Sequence, residues 1–416
     1  MMGNHPLSGK KIIISGAGIS GLAFSIALRK QWPHYTSQSD ILPTLVIYER
    51  EEEGQIGRQG YSISISSDGI RALQRLGVLD DMLKVSITGT QSQPGGFHLW
   101  TRRFEMVIGM KTQEVSDLPV SSLRIARKNL RHQLVELAAR GCSINWGVQC
   151  KRADQSENGK IRIMLSTGET DSCDILIAAD GSRSQIRSLL RPDDKLNFAG
   201  VVCIWGTAEF SGGKIPRPVD RDWGIAFGSN STCLFVSPID KTKALWSLSY
   251  RALEPRHIAD DEQNGELIRL EALERGGRIF AEPFKTLVAA SNPSSIKIYN
   301  AMDKRPFVWP PSNMGGQVVF IGDSNHAVTA FAGNGANLAL MDAWDLADQF
   351  CRSNSIHDAI TRFHDLSIPR AKRTLRFSHF AIYMAHSCGL IQWLFLTVFR
   401  LLGRILRLFD EKRISV

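Results

Sequence analysis

The chain has no pair of cysteines at metal-ligand spacing. Its seven cysteines are scattered, with no Cys-x-x-Cys among them, which excludes a zinc ribbon and a redox dithiol motif. The segment Met1 to Gly9 is short and polar and meets a strand-like run at once, so no cleaved secretory leader is expected. The cysteines then read as reduced core thiols of a cytoplasmic protein, not as disulfides. No Ser/His/Asp order and no metal-ligand spacing stands out, and repeats and low-complexity tracts are missing. The formal charge of +9 is not spread over the chain. From Arg370 to Val416 nine Lys/Arg face two Asp/Glu, while the rest is close to neutral. That excludes a nucleic-acid surface covering the fold.

What is present is glycine in three telling places. Lys11-Ile12-Ile13-Ile14-Ser15 is an apolar run of the kind a strand buried on both faces shows. Gly16-x-Gly18-x-x-Gly21 follows it, and Leu22 to Leu28 then has helical periodicity. This is the strand–turn–helix context of a dinucleotide fingerprint. Gly16 permits the turn, Gly18 admits a pyrophosphate to the backbone, and Gly21 lets helix and strand pack. The helix N-terminus faces the phosphates with unpaired N–H groups. A second strand, Thr44 to Tyr48, ends at Glu49, placed for ribose hydroxyls. Between them Gln31 to Pro43 reads as a polar loop insertion.

The second place follows the buried-strand run Asp174 to Ala179, where Asp180-Gly181 precedes a helix beginning at Ser182. The third follows Val318 to Ile321, where Gly322-Asp323 leads into a loop and a helix from about Gly335 to Phe350. Carboxylates at strand C-termini of an open α/β sheet point into the ligand crevice. Asp323 suits ribityl hydroxyls. The helix start at Gly335-Ala336-Asn337 can face the flavin N1/C2 edge, where its dipole stabilises the charge of reduced flavin. Together these three places describe one extended ligand held at both ends and at its pyrophosphate, and that ligand should be FAD.

These residues resemble the class A FAD-dependent aromatic hydroxylases, the para-hydroxybenzoate hydroxylase-like monooxygenases. The resemblance rests on Gly16-x-Gly18-x-x-Gly21, Glu49, Asp180-Gly181-x-x-Ser184-x-x-Arg187, Gly322-Asp323, His326 and Gly333-x-Gly335-x-Asn337. Arg127-x-x-Leu130-x-x-x-Leu134 matches the family's arginine on the helix beside the pyrophosphate. It implies FAD as cofactor, NADPH as a transient reductant that needs no second fingerprint, and O2 as co-substrate. One oxygen atom passes through a flavin C4a-hydroperoxide to a small apolar or phenolic substrate, such as a polycyclic secondary metabolite. The Asp-Gly motif serves both FAD and NAD(P)H in that family. Where the family has proline before the second glycine-rich stretch this chain has Ala330, with Ala327 after His326. Epoxidation of a lipophilic alkene, or a non-redox cyclase or prenyl-binding role, stays open. A halogenase does not, since its Trp-x-Trp-x-Ile-Pro motif is missing.

Catalytic side chains are few in this reading. Arg58, beside Gly60, reads either as a contact to FAD or an anionic substrate, or as a solvated loop arginine; His326 reads more readily as structural than as a base. The fold class is α/β: a discontinuous Rossmann-like FAD-binding domain (1–90, 123–195, 308–369), an inserted β-sheet substrate domain (91–122, 196–307), and C-terminal helices (370–416). Trp205, Trp223, Phe227, Phe235 and Trp246 suit a flat substrate or pack the sheet. In the tail, residues 390–409 are apolar, with Arg400, Arg404 and Arg407 recurring on one helical face. Three arginines argue against a membrane span. The segment reads as a helix lying peripherally in a membrane interface or as one packed on the body.

Overall fold

The computed structural model describes residues 5–54, 61–88, 95–110, 117–257, 264–310 and 314–414, with side chains as far as 406. At its centre is a parallel sheet in the order Val318–Phe320, Ile175–Ala178, Lys11–Ser15, Thr44–Glu49, Ser143–Trp146. Successive side chains of a strand take opposite faces, and both faces here are covered. Ile12 and Ile14 pack against Leu22, Phe24, Leu340 and Phe350 of the helices Ile19–Tyr35 and Gly335–Arg352. Ile13 packs on the other side with Ile161 and Ile163, part of an antiparallel layer formed by Cys150–Gln155, Ile161–Leu165 and Thr170–Cys173.

The helix Ile19–Tyr35 corrects one expectation: it runs on through Gln31 and Pro33, so the loop starts only at Thr36. Tertiary contacts override the weak local propensity. Trp32 is buried edge-on against His5, and the Gln31 side-chain amide donates to Trp344 O at 3.3 Å. The helix expected from Ser182 begins at Gln185, with Ser184 as its cap.

A second sheet of seven strands has the order Lys297–Asp303, Asn197–Glu209, Lys243–Arg251, Thr232–Pro238, Trp223–Phe227, Phe97–Thr101, Met106–Met110. It is antiparallel except where Trp223–Phe227 runs parallel to Phe97–Thr101. Its register sorts the aromatics. Trp246, Leu234, Val236 and Leu248 share a core with Phe284 and Leu287 of the helix Phe284–Ala289. Trp205 and Phe235, both paired with Ser247, take the opposite face, as does Trp223. That face looks at the parallel sheet across a two-stranded ribbon, Ser62–Ser66 with Ser122–Ala126. Ser62 Oγ donates to Pro238 O at 2.9 Å and ties the ribbon to the larger sheet.

Two long helices close the chain, Ile356–Ala385 and Gly389–Ile414. The last docks by one face. Phe395, Leu396 and Phe399 pack on Leu99, Val107 and Ile108, and Gln392 Nε2 donates to Gly228 O at 2.7 Å.

Trp246 is fully buried, edge-on to Phe284, with its indole N–H on Ser291 Oγ at 2.8 Å. Trp246→Ala should therefore cost about 3–5 kcal/mol in urea denaturation without changing cofactor content.

Candidate functional site

The C-terminal ends of three neighbouring parallel strands meet at one crevice. At the first, Gly16 has φ +109°, and a Cβ there would stand 2.5 Å from Ala179 O. A Cβ on Gly21 would stand 2.2 Å from Gly16 O. Only glycine allows the first turn to press against the end of the neighbouring strand Ile175–Ala178 and its own helix. Gly18 differs: its nearest neighbour, Ala179 O, is 3.9 Å from a built Cβ, so that side of the turn is open. The helix starting at Ile19 has no side-chain cap, which leaves its first N–H groups to a ligand.

Glu49 closes the turn from the second strand. Its Oε2 accepts from Ala17 N at 2.6 Å and its Oε1 from Glu51 N at 3.0 Å. A carboxylate with these two bonds still has lone pairs for ribose hydroxyls. Arg131, which the sequence reading passed over, donates to Ala17 O at 2.8 Å and to Glu51 Oε2 at 2.5 Å, with Glu49 Oε2 at 3.4 Å. It stands one helical turn after Arg127, and that i,i+4 spacing was the available signal. Arg127 lies with its guanidinium carbon 5.6 Å from the centre of the Tyr61 ring. Arg58 falls outside the described residues.

Asp180 caps the helix Gln185–Leu190, its Oδ2 accepting from Gln185 N at 2.8 Å and Ile186 N at 3.2 Å. Its Oδ1 is buried with no partner among the described residues, and burial pushes the carboxyl pKa up. Gly181 beside it has φ +81°. Arg187 joins this loop to the third, donating to Ser182 O and to Ser324 O.

Gly322 makes the third turn, and Asp323 opens a short helix, Asp323–His326. The Asp323 side chain is reached from the crevice yet lies deep among protein atoms. Burial raises its pKa, opposed by the charges of His326, Arg127 and Arg187. It makes no hydrogen bond among the described residues. Gly335 starts the next helix, again without a side-chain cap, and a Cβ there would sit 3.9 Å from Asp323 Oδ1. Gly333 holds the preceding turn at φ +59°. The Asn337 amide is already spent, accepting from Ser66 N and donating to Ser64 O, both at 3.0 Å. What remains for a ligand at that position is the backbone.

His326 does not reach the crevice. It is 1% exposed and bonded through Nε2 to Asp342 Oδ2 at 2.6 Å. Asp342, fully buried, also accepts from Gly322 N at 3.0 Å, Ser367 Oγ at 2.8 Å and Arg370 at 2.9 Å. Burial alone would lower the His326 pKa, but the Asp342 charge and hydrogen bond hold it above the ordinary value. His326 thus positions the turn that presents Asp323. An aspartate inside the apolar run Leu338 to Leu346 was the sequence signal for this network, and it was overlooked. The loop lacking the family proline is pinned otherwise. Thr329 Oγ1 and Ser378 Oγ stand 2.6 Å apart, and Phe331 meets the His386 ring edge-on.

An FAD fits what these residues leave open: the uncapped helix starts, the open side of Gly18, the unpaired Asp180 Oδ1 and the unbonded Asp323. The monooxygenase cfoF of Aspergillus candidus is 38% identical over 407 residues, covering 94% of each chain. The chain belongs to the class A FAD-dependent monooxygenases. No family model matches it. The monooxygenase is also 26% identical to the chloroplastic zeaxanthin epoxidase of Nicotiana plumbaginifolia over 346 residues, 81% of this chain and 48% of that one. Among solved structures it shares its fold with a Klebsiella pneumoniae HpxO variant complexed with FAD, at a TM-score of 0.76, 20% identity and 94% coverage of both chains.

His326→Asn should cost about 1–3 kcal/mol, because the buried Asp342 loses its imidazole partner and keeps only Arg370 as counter-charge. The wild-type contribution is complete below about pH 6.5, the unfolded value. It fades as pH climbs through the raised folded pKa. Thermal melts should show that alkaline decline in the wild type and lose it in the variant.

Proposed function

We propose that this monooxygenase holds one FAD across the three strand ends, is reduced by NADPH, and hydroxylates a phenolic or polycyclic small molecule with one atom of O2. The observation that carries the reading is the set of polar groups at those strand ends that have no partner among the described residues. The helix start at Ile19 and the open side of Gly18 would take the pyrophosphate, helped by Arg127. Glu49 would take the adenosine ribose, Asp180-Gly181 the middle of the cofactor, and Asp323 the ribityl chain. The helix start behind Gly333 and Gly335, with the Asn337 backbone, would face the flavin edge. Bound FAD would supply the electron transfer and oxygen activation that no side chain here offers.

The protein's own part is positioning and exclusion of water. Tyr61 lies beside Arg127 and feels the Asp323 charge, Tyr299 pairs with Cys203 on the seven-stranded sheet, and burial raises both phenol pKa values. Each stays protonated at neutral pH and so keeps its hydroxyl hydrogen as a donor. Trp205 and Phe235 supply an apolar wall. We read 1–90, 123–195 and 308–369 as the cofactor domain and 91–122 and 196–307 as the substrate domain. Epoxidation is a second reading, favoured by the likeness to zeaxanthin epoxidase.

Under anaerobic conditions NADPH should bleach the bound flavin; a flavin that stays oxidised would contradict the proposed reductant. With 18O2 and phenolic substrates the product should gain one labelled atom, as a phenol or, on the second reading, an epoxide. Asp323→Ala should purify largely without flavin, and full flavin content would remove Asp323 from the site.

We further propose that the C-terminal helix rests on an anionic membrane surface. Gly389–Leu406 has a mean hydropathy of 1.5. Opposite its docked face Leu390, Leu394, Leu401 and Ile405 are exposed, and on the preceding helix Phe380 and Tyr383 are exposed beside the half-buried Phe395. Arg373, Arg376, Arg400 and Arg404 are exposed around this patch, and no acidic residue occurs from Arg370 to Phe409. An apolar face with a basic rim suits an anionic lipid interface. The protein should float with vesicles containing phosphatidylserine, and Leu394→Asp with Leu401→Asp should abolish this while flavin content stays unchanged. A dimer indifferent to lipid would instead assign the face to a second copy.

A further inference from the structure

Arg124 lies on the ribbon strand Ser122–Ala126, where Leu123 and Ile125 turn into the core around the parallel sheet. Alternation sends Arg124 to the other side, toward the seven-stranded sheet. Its Nε donates to Ser237 Oγ at 2.9 Å and its Nη1 to Ser64 Oγ at 2.8 Å. The guanidinium carbon stands 5.5 Å from the centre of the Phe235 ring and 6.0 Å from that of Trp223. The residue is 5% exposed. Among the described residues no carboxylate pairs with it, and its Nη2 has no hydrogen-bond partner. Burial alone, with no charge to oppose it, lowers its pKa to about 9.

Two neutral hydroxyls hold the guanidinium in place but do not neutralise it. Buried charges are otherwise paired, and an arginine left in this state presents a fixed fork to an anion. The position says which anion. Ser64, which holds Nη1, accepts through its carbonyl from Asn337 at the start of the helix assigned to the flavin edge. The pyrophosphate turn at Gly16–Gly21 belongs to another element, and Arg131 and Arg127 serve that side. Arg124 faces Phe235, Trp223 and Ser237 on the sheet face given above to the substrate.

We propose that Arg124 is the anion-recognition group of the substrate pocket, binding an ionised oxygen (carboxylate, phenolate or enolate) on a flat ring laid against Phe235 and Trp223. The proposal rests on the reading of that sheet face as the substrate side. A phenolate or enolate held there would also keep its ring electron-rich, the state that electrophilic oxygenation requires.

The test titrates the FAD-loaded enzyme with benzoate, with 4-nitrophenolate and with neutral benzamide, following the flavin absorption spectrum. The wild type should respond to at least one anion and bind benzamide much more weakly. Arg124→Gln should weaken the anion by roughly tenfold or more, leave benzamide unchanged and keep its flavin; Arg124→Lys should restore part of the binding. A response to benzoate alone marks a carboxylate pocket, and one to 4-nitrophenolate marks a phenolate pocket. Arg124→Met, which removes an unpaired buried charge, should melt no lower than the wild type, whereas a purely structural arginine would leave a destabilised protein. Equal response to charged and neutral probes, response to no anion, or anion binding retained in Arg124→Gln overturns the proposal. If the wild type carries no FAD, the cofactor reading fails; if FAD is bound and the pocket ignores anions, only this inference fails.

Discussion

The carboxylate of Asp342 is the joint on which the site depends. With no exposure of its own, it holds Gly322 N, His326, Ser367 and Arg370 at once. Those partners belong to the third strand end, the turn after it and the long helix Ile356–Ala385. Buried ion pairs specify an arrangement more than they add stability. Here the arrangement specified is the one that leaves Asp323 unbonded at the crevice. Arg187 does the equivalent work between the second and third loops through Ser182 O and Ser324 O. A rigid scaffold of this kind lets a cofactor find its polar partners already placed, so little ordering cost falls on binding.

Much of this was legible because glycine and strand-end chemistry are local demands. Gly16 and Gly21 are required by contacts with Ala179 O and Gly16 O, and a strand–turn–helix pattern announces such contacts. Glu49, Asp180 and Asp323 follow from the rule that strand C-termini face the crevice. Other parts are set by tertiary neighbours that no local pattern names. Arg131 outranks Arg127 at the first turn because of where Glu49 and Glu51 stand. Gln31 to Tyr35 are helical because Trp32 finds His5 and Gln31 finds Trp344. Asn337 serves the ribbon with its side chain because Ser64 and Ser66 lie against the helix start.

The seven-stranded sheet shows the same division. Its aromatic content was evident, but register alone separates Trp246, committed to the helix-covered core, from Trp205, Trp223 and Phe235 on the inner face. That inner face is chemically mixed, with aromatic rings, serine hydroxyls and one uncompensated guanidinium. A pocket built only for aliphatic lipid would carry no such cation. The outer surface of the last two helices is the reverse, apolar and rimmed with arginine. On the two proposals made above, the outer face would meet lipid and the inner face an anionic ring.

The central claim is that three strand ends form one FAD site. The most direct measurement is the flavin content of the purified chain, by absorbance and by mass of the ligand released on denaturation. The account predicts FAD bound stoichiometrically, and a flavin-free preparation that quenches the fluorescence of added FAD until one equivalent is reached. A folded chain that carries no flavin and leaves added FAD fluorescence unchanged would contradict it.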